Sequence, residues 1–137
     1  MATVQWAASL RNMLLDTFES DIGVSPVVKF FTGALPANAA AADSGTLLVT
    51  YTLAADWMAN AAAGVKTFNG LPIAGVSVAT GSLGYYRIYQ SGGAVCKEQG
   101  DITATGGGGA MTVDVVAIGA IGQSVNITGY TKTAPHP

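Results

Sequence analysis

The sequence predicts an all-β fold: an antiparallel β-sandwich, jelly-roll-like, with one N-terminal α-helix. Three observations carry this. Short β-branched and aromatic runs recur about every 8–12 residues, the spacing of sandwich and barrel strands. Glycine, with 18 copies in 137 residues, punctuates the gaps between them. Only one stretch, residues 3–21, repeats its apolar side chains at the helical period.

In that stretch Trp6, Leu10, Met13, Leu14 and Phe18 form one apolar stripe, with Arg11, Asp16 and Glu19 off it. Thr3 is the expected N-cap, and Gly23 followed by Pro26 the expected stop. The stripe is expected to bury Trp6, Leu10, Leu14 and Phe18 against the domain's own sheet. A second reading makes it an anchor for a partner.

After Pro26 the texture is β. Residues 27–32 are β-branched and aromatic and end at Gly33. Residues 35–42 hold Pro36, Asn38 and an alanine run, and predict a loop. Residues 46–53 alternate, with Leu47, Val49, Tyr51 and Leu53 on one face. Residues 54–63 suggest a loop with a short helical turn. Residues 65–68 make a short strand closed by the turn dipeptide Asn69-Gly70. Further strands are expected at 73–79, 85–89, 94–99, 111–118 and 124–133. Residues 81–84 and Gly92-Gly93 are expected turns, and the four glycines at 106–109 a flexible joint. Residues 134–137 are expected to fray. The whole forms one domain over 1–137, with the helix at about 3–21 and the β part at about 26–133.

Charge excludes several functions. Six basic and eight acidic residues give a net charge of −2, and charged residues are 10% of the chain where about 25% is usual. A nucleic-acid binder needs a basic funnel, which is missing. No run of apolar residues is long enough to span a bilayer, and no basic region precedes an apolar stretch to make a signal peptide. Cys96 is the single cysteine, which excludes an intrachain disulfide.

Chemistry is equally sparse. His136 is the only histidine and stands next to last, where nothing is expected to orient it. The acids are expected to be ordinary solvated carboxylates, Glu98 and Asp101 at a strand end and Asp16, Glu19 and Asp21 near the helix C-terminus. The glycine-rich segments lack the lysine of a phosphate-binding loop. No catalytic residue, metal or cofactor is therefore expected. Trp57, Tyr85, Tyr86 and Tyr89 remain as a possible stacking platform for a sugar. A surface this poor in charge is easily desolvated, which suits a homo-oligomer or a larger assembly.

The segments Thr32-Gly33-Ala34-Leu35-Pro36-Ala37, Gly45-Thr46-Leu47-Leu48, Asp56-Trp57-Met58 and Gly84-Tyr85-Tyr86-Arg87-Ile88-Tyr89 resemble a group of small proteins encoded among the structural genes of tailed bacteriophages. The N-terminal helix, Gly100-Asp101-Ile102-Thr103 and Val125-Asn126-Ile127-Thr128 extend the likeness over nearly the whole chain. The resemblance implies a virion component, made in the host cytoplasm: a capsid decoration or cement protein, or a neck, collar or tail accessory subunit. Its partners would be the major capsid protein or neck and tail proteins. It carries over no catalytic residue. The alternative is a carbohydrate-binding module on the virion surface. Trp6, Leu10, Leu14, Phe18, Trp57, Tyr85, Tyr86 and Tyr89 are the candidate interaction residues.

Overall fold

Pro26 separates two textures in the computed structural model, which describes residues 3–137. Residues 1 and 2 of the expected domain lie outside the described residues. Ahead of Pro26 runs a helix, α1 (Ala8–Ile22). It starts later than expected, because Ala7 rather than Thr3 occupies the N-cap and supplies no side-chain cap. It stops where expected: Gly23, at φ +87°, donates its N–H to Glu19 O at 2.9 Å.

Behind Pro26 come β1 (Val27–Phe31), β2 (Leu47–Thr52), β3 (Val65–Thr67), β4 (Gly81–Ser82), β5 (Tyr85–Tyr89), β6 (Cys96–Ala104), β7 (Met111–Val113), β8 (Ala117–Ile118) and β9 (Ile127–Thr133). Seven form one sheet in the order β2-β1-β5-β6-β7-β9-β3, and β4 pairs with β8. The chain is thus mostly β with one N-terminal helix. The sheet is mixed, not the expected antiparallel jelly roll, because β6 and β7 run parallel.

The glycine run explains that departure. Adjacent parallel strands usually need a crossover of a dozen or more residues. Here residues 105–110 double back, so that Ile102 pairs with Met111. Gly106 and Gly108 turn the chain at φ +87° and +82°, and a Cβ on Gly107 or Gly109 would sit 2.7 or 2.8 Å from the Thr103 side chain. Gly109 N–H donates to Thr103 Oγ1 at 2.9 Å, fixing the return.

Residues 73–79 do not form the regular strand expected of them. They stitch the sheet to itself instead. Ile73 pairs with Ile127, Val76 with Ser124 and Ser77 with Val49, so one segment touches both β9 and β2. A single segment bonded near both ends of the sheet requires the sheet to curl. The core fills the curl: Val28, Phe30, Leu48, Tyr51, Tyr86, Ile88, Met111, Val113, Ile127 and Tyr130 pack together with Trp57, Met58 and Phe68. A bulge at Phe30/Phe31 shifts the β1–β2 register and brings Leu48 inside beside Val49, Tyr51 and Leu53, while Leu47 is only half-buried.

The tail is pinned rather than frayed. Ala134 is buried and donates its N–H to Gly64 O at 2.9 Å. Trp6 N–H donates to His136 O at 2.9 Å, and the two rings stand 4.6 Å apart.

Candidate interaction surfaces

The inner face of α1 is not the expected one. Arg11, Leu15 and Ile22 are buried and Phe18 is half-buried, while Leu10 and Leu14 stay 44% and 42% exposed and Met13 64%. Trp6 is half-buried against the C-terminal tail. Polar anchors decide the rotation. Arg11 donates to the carbonyls of Ala134 at 2.8 Å, Pro135 at 3.2 Å and Ala63 at 3.3 Å. Lys66 on β3 is buried and pairs with Asp16 at 2.7 Å and Glu19 at 2.6 Å. Burial opposes the Lys66 charge, and the two carboxylates overcome it, so its pKa is raised. Asp16 keeps the solvated position expected of it, with its side chain 59% exposed, and Glu19 is half-buried, but both also meet an internal cation.

The four aromatic candidates are also inside. Trp57, Tyr85, Tyr86 and Tyr89 are each 3% exposed or less. Both faces of β5 are covered, which alternation alone could not tell. Tyr86 and Ile88 face the core. Tyr85, Arg87 and Tyr89 lie under the loop at 36–44: Tyr85 hydroxyl donates to Ser44 O at 2.6 Å, and Tyr89 hydroxyl donates to Asp43. Arg87, 1% exposed, binds Asp43 Oδ1 and Ala41 O at 2.8 Å, Asn38 O at 3.1 Å and Gln99 Oε1 at 2.8 Å. Trp57 Nε1–H donates to Gly23 O at 2.9 Å, and its ring meets Phe18 at a tilt and Phe68 edge-to-face. No ring of this set offers a face to a sugar.

Glu98 is a hub, not a solvated strand-end acid. Its Oε1 accepts the hydroxyls of Tyr86 and Tyr130, both at 2.6 Å, and its Oε2 pairs with Lys132. Burial first, and then the nearby Glu98 charge, pushes both tyrosines far above their ordinary pKa. Gly100 makes room for this: a Cβ there would lie 2.6 Å from the Tyr86 ring. Asp101 accepts the Ala110 N–H at 3.0 Å, Asp114 holds Asn126, and Asp21 pairs with Lys97 at 2.9 Å. Cys96 is half-buried, and burial raises its thiol pKa.

All six cations are engaged within the chain, Lys29 with Gly93 O and the Tyr89 ring, Lys132 with Glu98 and the Phe18 ring. A cavity of about 460 Å³ opens between residues 39–43 and 93–96, but its floor is Arg87 and Tyr89, whose polar atoms are spent on Asp43, Gln99 and loop carbonyls. Among the described residues, no group of three or more His, Cys, Asp or Glu side chains gathers, and no helix is long and apolar enough to cross a membrane.

What the surface does offer is apolar. One patch is the outer face of α1 at Leu10, Met13 and Leu14. A second lies on the stitching segment, where polarity is inverted. Ser77 is 2% exposed and points inward, donating to Ala120 O at 2.8 Å and accepting Gln123 N–H at 3.1 Å, while Val76 and Val78 are 59% and 56% exposed. Ile121, at 74%, stands on the paired loop, and Val116 beside β8 is 36% exposed. Residues 67–86 and 115–131 contain no charged residue and are the two longest such stretches in the chain. They pair with each other, through Ile73–Ile127, Val125 N–H to Gly75 O, Ser77 N–H to Gln123 O and β4 with β8. The patch was missed in the sequence because residues 73–79 carried only a strand signal. The charge gap was the signal that could have found it.

No family model, curated protein or solved structure matches this chain.

Proposed function

We propose that this chain is a non-enzymatic structural subunit of a tailed-bacteriophage particle. It binds in several or many copies, as a capsid decoration or cement protein or as a neck or tail subunit, and associates with itself and with other virion proteins. One observation carries the assembly part: an apolar surface bearing Val76, Val78 and Ile121 outward around an inward Ser77, on two paired stretches without a charged residue. The hydrogen bonds of Ser77 hold that inversion, and the valines it turns outward suit an interface. The engagement of seven of the eight carboxylates, all but that of Asp56, in internal bonds supports the non-enzymatic part. The sequence resemblance to phage structural proteins supports the particle. The carbohydrate-binding alternative loses its platform, since Trp57, Tyr85, Tyr86 and Tyr89 are buried.

The test is to purify particles, identify this chain by mass spectrometry and count its copies. Hundreds would mean capsid decoration and about a dozen a neck or tail position, the counts that capsid and tail symmetry dictate. Absence from washed particles would refute the reading.

A further inference from the structure

We propose that the slot between β6 and β9, in line with the N-terminal end of β7, docks one extended peptide segment of a partner protein through main-chain hydrogen bonds on both of its edges. The inference goes beyond the particle reading and stands on different residues.

β7 is shorter than the two strands that flank it. It meets only residues 102–104 of the nine-residue β6 and residues 127–130 of the seven-residue β9. Residues 96–101 of β6 pair with β5 on the far edge, and residues 131–133 of β9 pair with β3 on theirs. Two strands flanking a third stand about 10 Å apart, twice the spacing of a bonded pair. Ahead of Met111 that third strand is missing. Residues 105–110 double back along Thr103, and Asp101 accepts the Ala110 N–H at 3.0 Å, which turns the chain out of the line of β7. A hollow of about 300 Å³ remains, with Glu98, Gln99 and Gly100 on one side, Thr131, Lys132 and Thr133 on the other, and Ala110 at the β7 end.

Main-chain direction says what fills it. Along a strand, successive residues turn their N–H and C=O to alternate edges. Thr105 N–H donates to Val113 O at 3.0 Å, on the β7 side, so Thr103, Asp101 and Gln99 turn their main-chain groups to that edge too. Ala134 N–H donates to Gly64 O at 2.9 Å, on the β3 side, so Thr133 turns its groups the other way, toward the line of β7. Gln99 and Thr133 therefore face the slot from its two sides, each with a donor and an acceptor and, among the described residues, no strand opposite. Open sheet edges take up extended peptides through such groups. A peptide backbone presents donors and acceptors at strand spacing on both of its edges; a sugar or a nucleotide does not.

The floor selects the side chains. Glu98 lines the slot with its oxygens already shared among Tyr86, Tyr130 and Lys132. A charged side chain would compete with the Glu98–Lys132 pair, and a large apolar one would bury it further from water. Gly100 adds no side chain and leaves room for a small one. The segment therefore carries small or hydroxyl-bearing residues at its inward positions.

Amide NMR on the full-length chain, titrated with a blocked pentapeptide of alternating threonine and alanine, tests this. The titration runs to about 5 mM, above the millimolar dissociation constant expected of a short isolated strand. The Gln99 and Thr133 amides should shift and saturate. The same peptide N-methylated on its central nitrogens keeps its side chains, loses its donors, and should give no saturable shift. Thr133→Pro removes the slot-facing N–H without taking a bond from β3, and should raise Kd about fivefold. Its melt is checked first; if it fails to fold, the methylated peptide decides alone. Equal binding of the methylated peptide, or no shift at Gln99 and Thr133 by about 5 mM, would overturn the proposal. Absence of this chain from particles would refute the particle reading and leave these shifts as they are, so the two failures are distinguishable.

Discussion

β5 and the segment at 73–78 are both extended and both lie against the same core, yet they sort their side chains in opposite ways. β5 carries an arginine that is 1% exposed; the other segment carries two valines more than half exposed. The difference is one of available partners. Arg87 finds Asp43, Gln99 and two loop carbonyls that meet its fan of donors, so its charge can be buried. Ser77 finds Ala120 O and Gln123 N–H and turns in, which turns Val76 and Val78 out. Polarity alone does not sort this chain. Satisfied hydrogen bonds decide what goes in, and the apolar remainder outside becomes a contact surface.

The largest effect expected from breaking that contrast is at Arg87. Arg87→Met removes the guanidinium's bonds to Asn38 O, Ala41 O and Asp43, leaving the 36–44 loop held by Tyr85, Tyr89 and the Gln99 amide, and takes a partner from Asp43 and from Gln99 Oε1. A loss of about 3 kcal/mol is expected, at the low end of buried-pair disruption because the Asp43 side chain is 39% exposed and can rehydrate. Val78→Thr should move stability by less than about 0.5 kcal/mol. Urea unfolding of both variants checks this. Equal losses would show that the loop's anchor is not Arg87.

Next in size is a pair of neighbours on α1. Leu15 is 3% exposed and Leu14 42%. Leu15→Ala should cost about 2–4 kcal/mol, as core truncations do, while Leu14→Ala should cost less than about 0.5 kcal/mol. Similar melting temperatures for the two variants would mean that α1 sits rotated from the face described here.

That pair also shows how far the sequence could be read. The helix, its stop at Gly23 and most strands after Pro26 follow from local spacing and turn chemistry. The buried face of α1 does not, because Arg11, Leu15, Phe18 and Ile22 satisfy helical spacing as well as Leu10 and Leu14 do. The choice is made by Lys66 and by carbonyls at Ala63, Ala134 and Pro135, which are distant in sequence. Parallel pairing of β6 and β7 was hidden in the glycines at 106–109, whose sequence suggests flexibility but whose geometry is a fixed return along Thr103. The aromatic candidates failed for a similar reason: what covers Tyr85 and Tyr89 is a remote alanine-rich loop that alternation cannot reveal.

A moderate effect is expected on raising pH. Tyr86 and Tyr130 have folded-state pKa values raised above the ordinary 10.0, and Lys66 above 10.5. For a group whose folded pKa is raised, stability is fully present below the unfolded value and is lost as pH climbs through the folded one. Unfolding above about pH 10 is therefore expected, as the unfolded chain releases protons that the folded chain holds. The urea midpoint should fall between about pH 8 and pH 11, and tyrosine ionisation by absorbance should coincide with loss of structure. Tyrosines that titrate freely while the fold persists would contradict the Glu98 hub. In the double variant with Tyr86→Phe and Tyr130→Phe, the alkaline fall should be shallower.

The smallest effect is expected from salt. An interface of ion pairs weakens as the screening length shortens from about 10 Å at 0.1 M to about 3 Å at 1 M. Every lysine and arginine among the described residues already has a partner within the chain: Arg11, Lys29, Lys66, Arg87, Lys97 and Lys132. Its outward valines and leucines carry no charge, and a salting-out ion such as sulfate should tighten rather than loosen their burial. Self-association and occupancy on particles should therefore change by less than about twofold up to 1 M NaCl. The measurement is the fraction retained after washes at rising NaCl, beside the sedimentation Kd in the same buffers. Release between 0.1 and 0.5 M would mean that exposed carboxylates such as Asp56 meet a basic partner, and that the charge-free strip is not what holds the assembly together.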